Sequence, residues 1–167
     1  WYPQWGNYSF WLYQDDTAPA GRTVSETNDA NVTSPAYNRN LPAGREGWIT
    51  RRTDQATGNT NMSLRVDPGY INGGANAVTV TVTYLDYGND TWSLVYDSTQ
   101  GEKTATPLGA TTAWVQKGNS RLWKTAAFVI NDARFAKSLP GDIDLRIECR
   151  GDGDEWIHMV DVAKIGA

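Results

Sequence analysis

In the stretch Ala77-Val78-Thr79-Val80-Thr81-Val82-Thr83-Tyr84, large apolar or aromatic side chains alternate with threonines from Val78 onward. A period of two places the valines and the tyrosine on one face of a β-strand and the threonines on the other. The turn-forming segment Asp86-Tyr87-Gly88-Asn89-Asp90 follows, and a second alternating segment covers residues 91–96. The sequence therefore predicts an antiparallel hairpin with one buried face.

Similar segments, separated by clusters of Gly, Pro, Asn and Asp, recur along the chain. They predict further strands at residues 8–13, 48–53, 61–66, 122–130, 142–149 and 156–165. Residues 132–137 predict a short helical turn, and residues 17–43 predict long loops with one strand near 22–25. Eight to ten short antiparallel strands indicate an all-β fold, namely a β-sandwich of the jelly-roll type.

Composition restricts the class of protein. The chain has 167 residues, 40% of them hydrophobic and 20% charged, with a net charge of −4. We expect a single β-sandwich domain over residues 1–167, in which 1–14 is either an integral strand region or a linker or tail of a preceding domain. The acidic charge disfavours nucleic acid as a partner. The chain has no run of about 18 apolar residues, so we expect no membrane partner. We also expect a monomer that is secreted or lies on the bacterial cell surface.

His158 and Cys149 are the single histidine and the single cysteine of the chain. One thiol cannot form an internal disulfide, and the pair cannot build a Cys/His zinc site or most nucleophile–histidine systems. Cys149 lies on the apolar phase of its predicted strand, so we expect a buried thiol. A glycosidase with two carboxylates, or a lyase with Tyr and Arg, remains open because the chain has nineteen acidic residues and eight tyrosines.

Aromatic residues are unusually frequent, with eight Trp and eight Tyr. The apolar face of a sugar ring can stack on an aromatic plane, although large aromatics also fill sandwich cores. Trp92 shares the apolar phase of its strand, so we expect it in the core. Trp5 and Trp114 lie in predicted loop or edge segments, and the phase of Trp123 is ambiguous. These three are the candidate stacking platforms for carbohydrate.

A sugar-binding site also needs polar side chains that can hydrogen-bond to sugar hydroxyls beside the aromatic rings. Arg51 and Arg52 are consecutive in a predicted strand, so their side chains lie on opposite faces and at most one serves a given site. The alternative for these arginines is ion pairing with nearby acids. Asn89, in the predicted turn, is the third candidate.

A cation site is the other candidate. Asp152, Asp154 and Glu155 are the acids of the segment Gly151-Asp152-Gly153-Asp154-Glu155. Alternating carboxylates on a glycine-rich loop suit a hard, oxygen-liganded ion such as calcium. A solvated acidic turn is the alternative.

Several segments together resemble the β-sandwich carbohydrate-binding modules that are appended to bacterial polysaccharide-degrading enzymes. They are residues 80–88, 90–97, 123–125, 132–135 and 151–155. The resemblance covers the chain from about Trp48 to the C-terminus. It implies a non-catalytic module that binds a polysaccharide or oligosaccharide and holds the catalytic domain of the same parent chain near its substrate. It also implies a structural calcium ion with Asp161 among its ligands.

Two other functions stay open at this point. The first is a small jelly-roll glycoside hydrolase or polysaccharide lyase. The second is a structural sandwich that acts as a spacer in a surface protein.

Overall fold

The computed structural model describes residues 49–166 and three upstream strands at 9–11, 24–26 and 32–35, with side chains described from Arg52 onward. This part of the chain is antiparallel β-structure, apart from a 3-10 turn at Gln55–Thr57, and it contains no α-helix. The predicted all-β class is therefore confirmed. Within the same residues, no helix has the length and apolar character needed to cross a membrane.

The described residues form twelve strands, three of them no longer than three residues. They are β1 Ser9–Trp11, β2 Val24–Glu26, β3 Val32–Pro35, β4 Ile49–Arg52, β5 Asn61–Val66, β6 Asn76–Leu85, β7 Thr91–Ser98, β8 Gly101–Thr104, β9 Val115–Gln116, β10 Trp123–Ala133, β11 Leu145–Glu148 and β12 Trp156–Lys164. Nine of them overlap predicted strands. The other three, β3, β8 and β9, are too short or too polar for alternation to show in the sequence.

The strands form one continuous antiparallel sheet that folds over a main core, and we describe it as two layers. The first layer runs β2-β5-β11-β7, with β8 and β9 also paired to β7. The second runs β10-β6-β12-β4-β3, with β1 also paired to β12. A single antiparallel pair, Ala133 with Ser98, joins the layers. Because the layers meet at this corner, the sandwich is nearly barrel-shaped.

The core contains the apolar phase of the alternating strands. The valines of β6 are fully buried, as are Trp92 and Phe128. The Trp92 ring lies edge-on to Tyr84 with centroids 5.3 Å apart, and to Phe128 at 5.9 Å. The predictions that Trp92 lies in the core and that Cys149 is buried are both confirmed.

The predicted hairpin is wrong. β6 pairs with β10 and β12, whereas β7 pairs with β8, β9, β10 and β11. Residues 86–90 therefore carry the chain from one layer to the other. The physical reason is that both strands have an apolar face. Placing them in opposite layers lets these faces bury each other, as the contact of Tyr84 with Trp92 shows.

The predicted helical turn at residues 132–137 is also wrong. β10 continues to Ala133, past an irregularity in its pairing after Ile130. The backbone N–H of Arg134 then donates to the Asp97 carbonyl, and those of Ala136 and Ser138 donate to the Asp97 carboxylate. Because a buried carboxylate takes these donors, the segment does not form helical hydrogen bonds.

The two-layer core gives a first prediction. Trp92→Ala removes a fully buried ring from the contact between layers, and should lower the free energy of unfolding by about 3–5 kcal/mol. Val129→Ala, on a side chain that is 46% exposed, should change it by no more than about 0.5 kcal/mol. Urea denaturation measures both. Equal effects would contradict the assignment of the two faces of the sandwich.

Candidate functional site

Four connecting segments converge at one end of the sandwich, which we call the loop end. They are residues 53–60, 86–90, 117–122 and 149–155. Backbone hydrogen bonds join them in pairs. The Lys117 N–H donates to the Asp90 carbonyl at 3.0 Å, and the Thr53 N–H donates to the Glu155 carbonyl at 3.1 Å. These bonds therefore join segment 117–122 to segment 86–90, and segment 53–60 to segment 149–155.

Lys117 lies at the centre of the loop end, with a side chain that has no exposed surface. Its ammonium donates to the carbonyls of Tyr87 at 2.6 Å and Asp154 at 2.9 Å. It also lies 3.1 Å from Asp90 Oδ1 and 2.8 Å from Glu155 Oε1. One buried charge thus connects three of the four segments.

A second buried carboxylate, Asp86, fixes the segment 117–122. It accepts the backbone N–H of Gly118 at 2.8 Å and of Ser120 at 3.0 Å, together with the Ser120 hydroxyl. Lys124 approaches it to 3.2 Å. Burial by itself would raise the pKa of Asp86, but these hydrogen bonds outweigh it and lower the pKa to about 2. The group is therefore an anion at neutral pH.

Glu155 has the opposite electrostatics. Burial and the neighbouring Asp90 carboxyl group together raise its pKa to about 9, although Lys117 acts in the opposite direction. The carboxyl groups of Asp90 and Glu155 are in direct contact. The two catalytic acids of a glycosidase are about 5 Å or more apart. This pair is therefore not arranged as a glycosidase acid and nucleophile.

Glycines allow the two loops to approach Asp90. A Cβ atom built on Gly153 would overlap the Asp90 carboxylate, and one built on Gly88 would overlap its Oδ1 atom. Gly88 also has a φ of 89°, in the left-handed region. The glycines of the two turn-like motifs therefore let segments 86–90 and 149–155 pack against each other.

Three acids at the loop end lie close enough to hold a metal ion. One carboxylate oxygen of each of Asp90, Asp152 and Glu155 lies within 4.8 Å of the others. Of the acids in the predicted cation loop, Asp152 and Glu155 belong to this group, whereas Asp154 does not. We call these three residues the acidic cluster.

The other two predicted metal ligands lie elsewhere. Asp154 Oδ1 accepts from the Thr53 hydroxyl and the Gln55 N–H, and its Oδ2 pairs with Arg52 at 3.4 Å. Asp161 lies opposite Thr81 in the register of β12 and β6, about 20 Å along the strand from Glu155. Burial raises the pKa of Asp161 to about 6.

Aromatic side chains cover the outer side of the second layer at the same end. Tyr87, Trp123 and Trp156 pack around the buried Leu85, in a cluster separate from the main core. The Trp123 ring lies 5.9 Å from His158, and Tyr87 meets Trp156 edge-on at 5.1 Å. We call Tyr87, Trp123, Trp156 and His158 the aromatic patch. All four are partly exposed.

The two predicted platforms, Trp114 and Trp123, belong to different layers. Trp123 begins β10 in the second layer, whereas Trp114 immediately precedes β9, which pairs with β7 in the first. The guanidinium of Arg150 lies 4.5 Å from the centre of the Trp114 ring and stacks over it. The structure therefore does not bring these two rings into one cluster.

The remaining predicted residues have varied positions. Arg52 pairs with Asp54 and Asp154 and lies 5.9 Å from the centre of the Trp156 ring. Arg51 lies opposite Ile157 in the strand register, but its side chain is outside the described part of the structure. Asn89 is exposed, and its carbonyl accepts from Gln116. Trp5 lies outside the described residues.

Sequence reasoning missed Lys117 and Asp90 as site residues, and Tyr87, Trp156 and His158 as members of the patch. Lysine is almost always exposed, so nothing local to Lys117 indicates burial. The motifs Gly88-Asn89-Asp90 and Gly153-Asp154-Glu155 carry the one available signal, because each places a glycine two residues before an acid.

Comparison with known proteins returned no match. No family model, no curated protein and no solved structure is significantly similar to the chain.

The Lys117 network gives a second prediction. Lys117→Met leaves the buried carboxyl groups of Asp90 and Glu155 without the ammonium that faces them, and should lower the free energy of unfolding by about 3–5 kcal/mol. Lys103→Met breaks a partly exposed ion pair with Asp132, and should cost no more than about 1 kcal/mol. Chemical denaturation of both variants is the measurement. A small effect of Lys117→Met would mean that the ammonium is not buried.

Glu155 gives a third prediction, on pH. The folded chain keeps its proton up to a pKa of about 9, whereas the unfolded chain loses it near the ordinary value of 4.5. The folded state therefore binds more protons between these values, and this group makes stability fall as pH rises from 4.5 to 9. In metal-free buffer, Glu155→Gln should become more stable relative to the parent chain over that range. Thermal denaturation at several pH values tests it, and a difference that does not change with pH would contradict it.

Proposed function

We propose that the chain is a non-catalytic carbohydrate-binding module whose sugar-binding surface is the aromatic patch. The observation that carries the proposal is the position of Trp123. This ring is partly exposed at the start of β10, above buried Leu85 and beside His158. A Trp ring held at a surface offers an apolar plane on which the carbon-bound hydrogens of a sugar ring can stack.

The surroundings of the patch support a pre-organised site. The edge-on contact of Tyr87 with Trp156 limits the rotation of both rings. Tyr87 also belongs to the segment that Lys117 holds through its carbonyl. Little side-chain entropy would be lost when a sugar binds to rings that are already fixed, which matters for a shallow site with few contacts.

Polar groups suited to sugar hydroxyls lie next to the patch. Thr125 follows Trp123 on the same face of β10 and is exposed; it pairs with Thr83, which is buried, and the next outward pair includes the partly exposed Thr81. Hydroxyl groups can both donate and accept hydrogen bonds. On the other side, Arg121 stacks 5.3 Å from the centre of the Tyr87 ring. We expect the sugar chain to run from Trp123 along the threonine row.

In this proposal the module belongs to a secreted or cell-surface enzyme that degrades polysaccharide. Binding would keep the catalytic domain of the parent chain at a high effective concentration near the polymer, without new chemistry in the module. A single shallow site implies modest affinity, which is sufficient when the polymer offers many copies of the same ligand.

The proposal gives a fourth prediction. Trp123→Ala should abolish the retardation of the chain in affinity gels that contain a recognised polysaccharide, because the stacking plane is lost. Trp114→Ala is the matched control, since this ring lies in the other layer and carries Arg150. The control variant should migrate like the parent chain.

Three outcomes would count against the proposal. No retardation of the parent chain on any plant or algal polysaccharide would favour a structural spacer. Loss of binding in Trp114→Ala but not in Trp123→Ala would move the site to the first layer. Release of reducing ends or unsaturated products from the polysaccharides would instead favour a hydrolase or a lyase.

A further inference from the structure

The acidic cluster uses only one oxygen of each carboxylate for contacts within the chain. Asp90 Oδ1 and Glu155 Oε1 face the Lys117 ammonium at 3.1 and 2.8 Å. Asp152 Oδ2 accepts from the N–H of Thr91 at 3.0 Å and from its hydroxyl at 2.6 Å. The second oxygen of each carboxylate therefore takes no part in these contacts.

Two of these second oxygens are buried without a donor. Among the described residues, Asp90 Oδ2 and Glu155 Oε2 are inaccessible to solvent and accept no hydrogen bond. Glu155 as a whole is only 1% exposed. A buried carboxylate oxygen without a partner is costly, so such groups normally contact a donor or a cation. Both residues belong to the acidic cluster, in which one oxygen of each carboxylate lies within 4.8 Å of the others.

Lys117 cannot satisfy the cluster by itself. Its ammonium already has four oxygen neighbours, two carbonyls and two carboxylates, for three N–H donors. Once an ion displaces the proton that Glu155 holds in metal-free solution, three carboxylates and one ammonium carry a net charge of −2. One divalent cation would balance that charge.

We propose that Asp90, Asp152 and Glu155 bind one divalent cation of the hard, oxygen-preferring class, with calcium as the best fit. A separation of up to 4.8 Å between carboxylate oxygens matches two ligands on one Ca²⁺ ion, at about 2.4 Å each. Calcium also tolerates irregular geometry and takes water as additional ligands on the exposed side, where Asp152 lies. Magnesium, which requires near-octahedral geometry, should bind more weakly.

Such an ion would join segments from the two layers. Asp90 ends the crossing segment 86–90, whereas Asp152 and Glu155 lie between β11 and β12. Both segments lead directly into the aromatic patch, through Tyr87 and Trp156. The cation would therefore stabilise the loop end and hold these two rings in place. The inference concerns the cation alone and stands independently of sugar binding.

Calorimetric titration of the full chain with Ca²⁺, after treatment with a chelator, tests the proposal without any carbohydrate. We expect one ion per chain, a dissociation constant in the range of extracellular modules, roughly 0.1–1 mM or tighter, and a higher midpoint of thermal unfolding in Ca²⁺. Asp152→Asn should weaken binding roughly tenfold or more, because it removes a charged ligand at an exposed position and leaves the buried network in place.

Asp142→Asn is the matched control, because Asp142 is an exposed acid outside the loop end. This variant should bind Ca²⁺ like the parent chain. The proposal is overturned if the parent chain shows neither binding heat nor a shift in unfolding midpoint at millimolar Ca²⁺. It is also overturned if Asp152→Asn binds as tightly as the control, since the ion would then lie elsewhere, for example at Asp161.

Discussion

The buried ammonium of Lys117 is the interaction on which the rest of the loop end depends. Moving a charge out of water costs several kcal/mol unless partners replace the lost hydration. Here the partners are two carbonyls and two carboxylates, and they come from segments 86–90 and 149–155. Because the charge is stable only when all of these oxygens surround it, the network favours a single arrangement of the loops.

The crossing between layers follows from this arrangement. Asp86, at one end of the crossing segment, is bound to the backbone of Gly118 and Ser120, while Asp90, at the other end, is bound to Lys117. Both anchors belong to the segment that joins β9 to β10. With its two ends fixed, the crossing segment places Tyr87 on the outer side of the second layer. The buried polar network of the loop end thus determines the position of Tyr87 in the aromatic patch.

The proposed sugar surface and the proposed cation site share this framework but make separate demands on it. The aromatic patch needs fixed rings with apolar faces near solvent, and Leu85 beneath it supplies an apolar support. The acidic cluster needs carboxyl groups that are held close together. The Lys117 ammonium offsets their charge, and Gly153 lets the loop 149–155 approach Asp90. Rigid loops serve both, because a weakly binding surface gains most from groups that are already in position.

The sequence by itself determined the all-β class, most of the strands and the burial of Trp92 and Cys149, because alternation with a period of two directly reflects which side chains leave water. It did not determine strand partners, since a turn motif shows where the chain reverses and not which strand lies beside it. For that reason the hairpin at residues 77–96 was predicted wrongly. Only the tertiary structure placed Lys117 among Asp90 and Glu155. A charged side chain is stable in the interior through partners distant in sequence, and no local pattern records them.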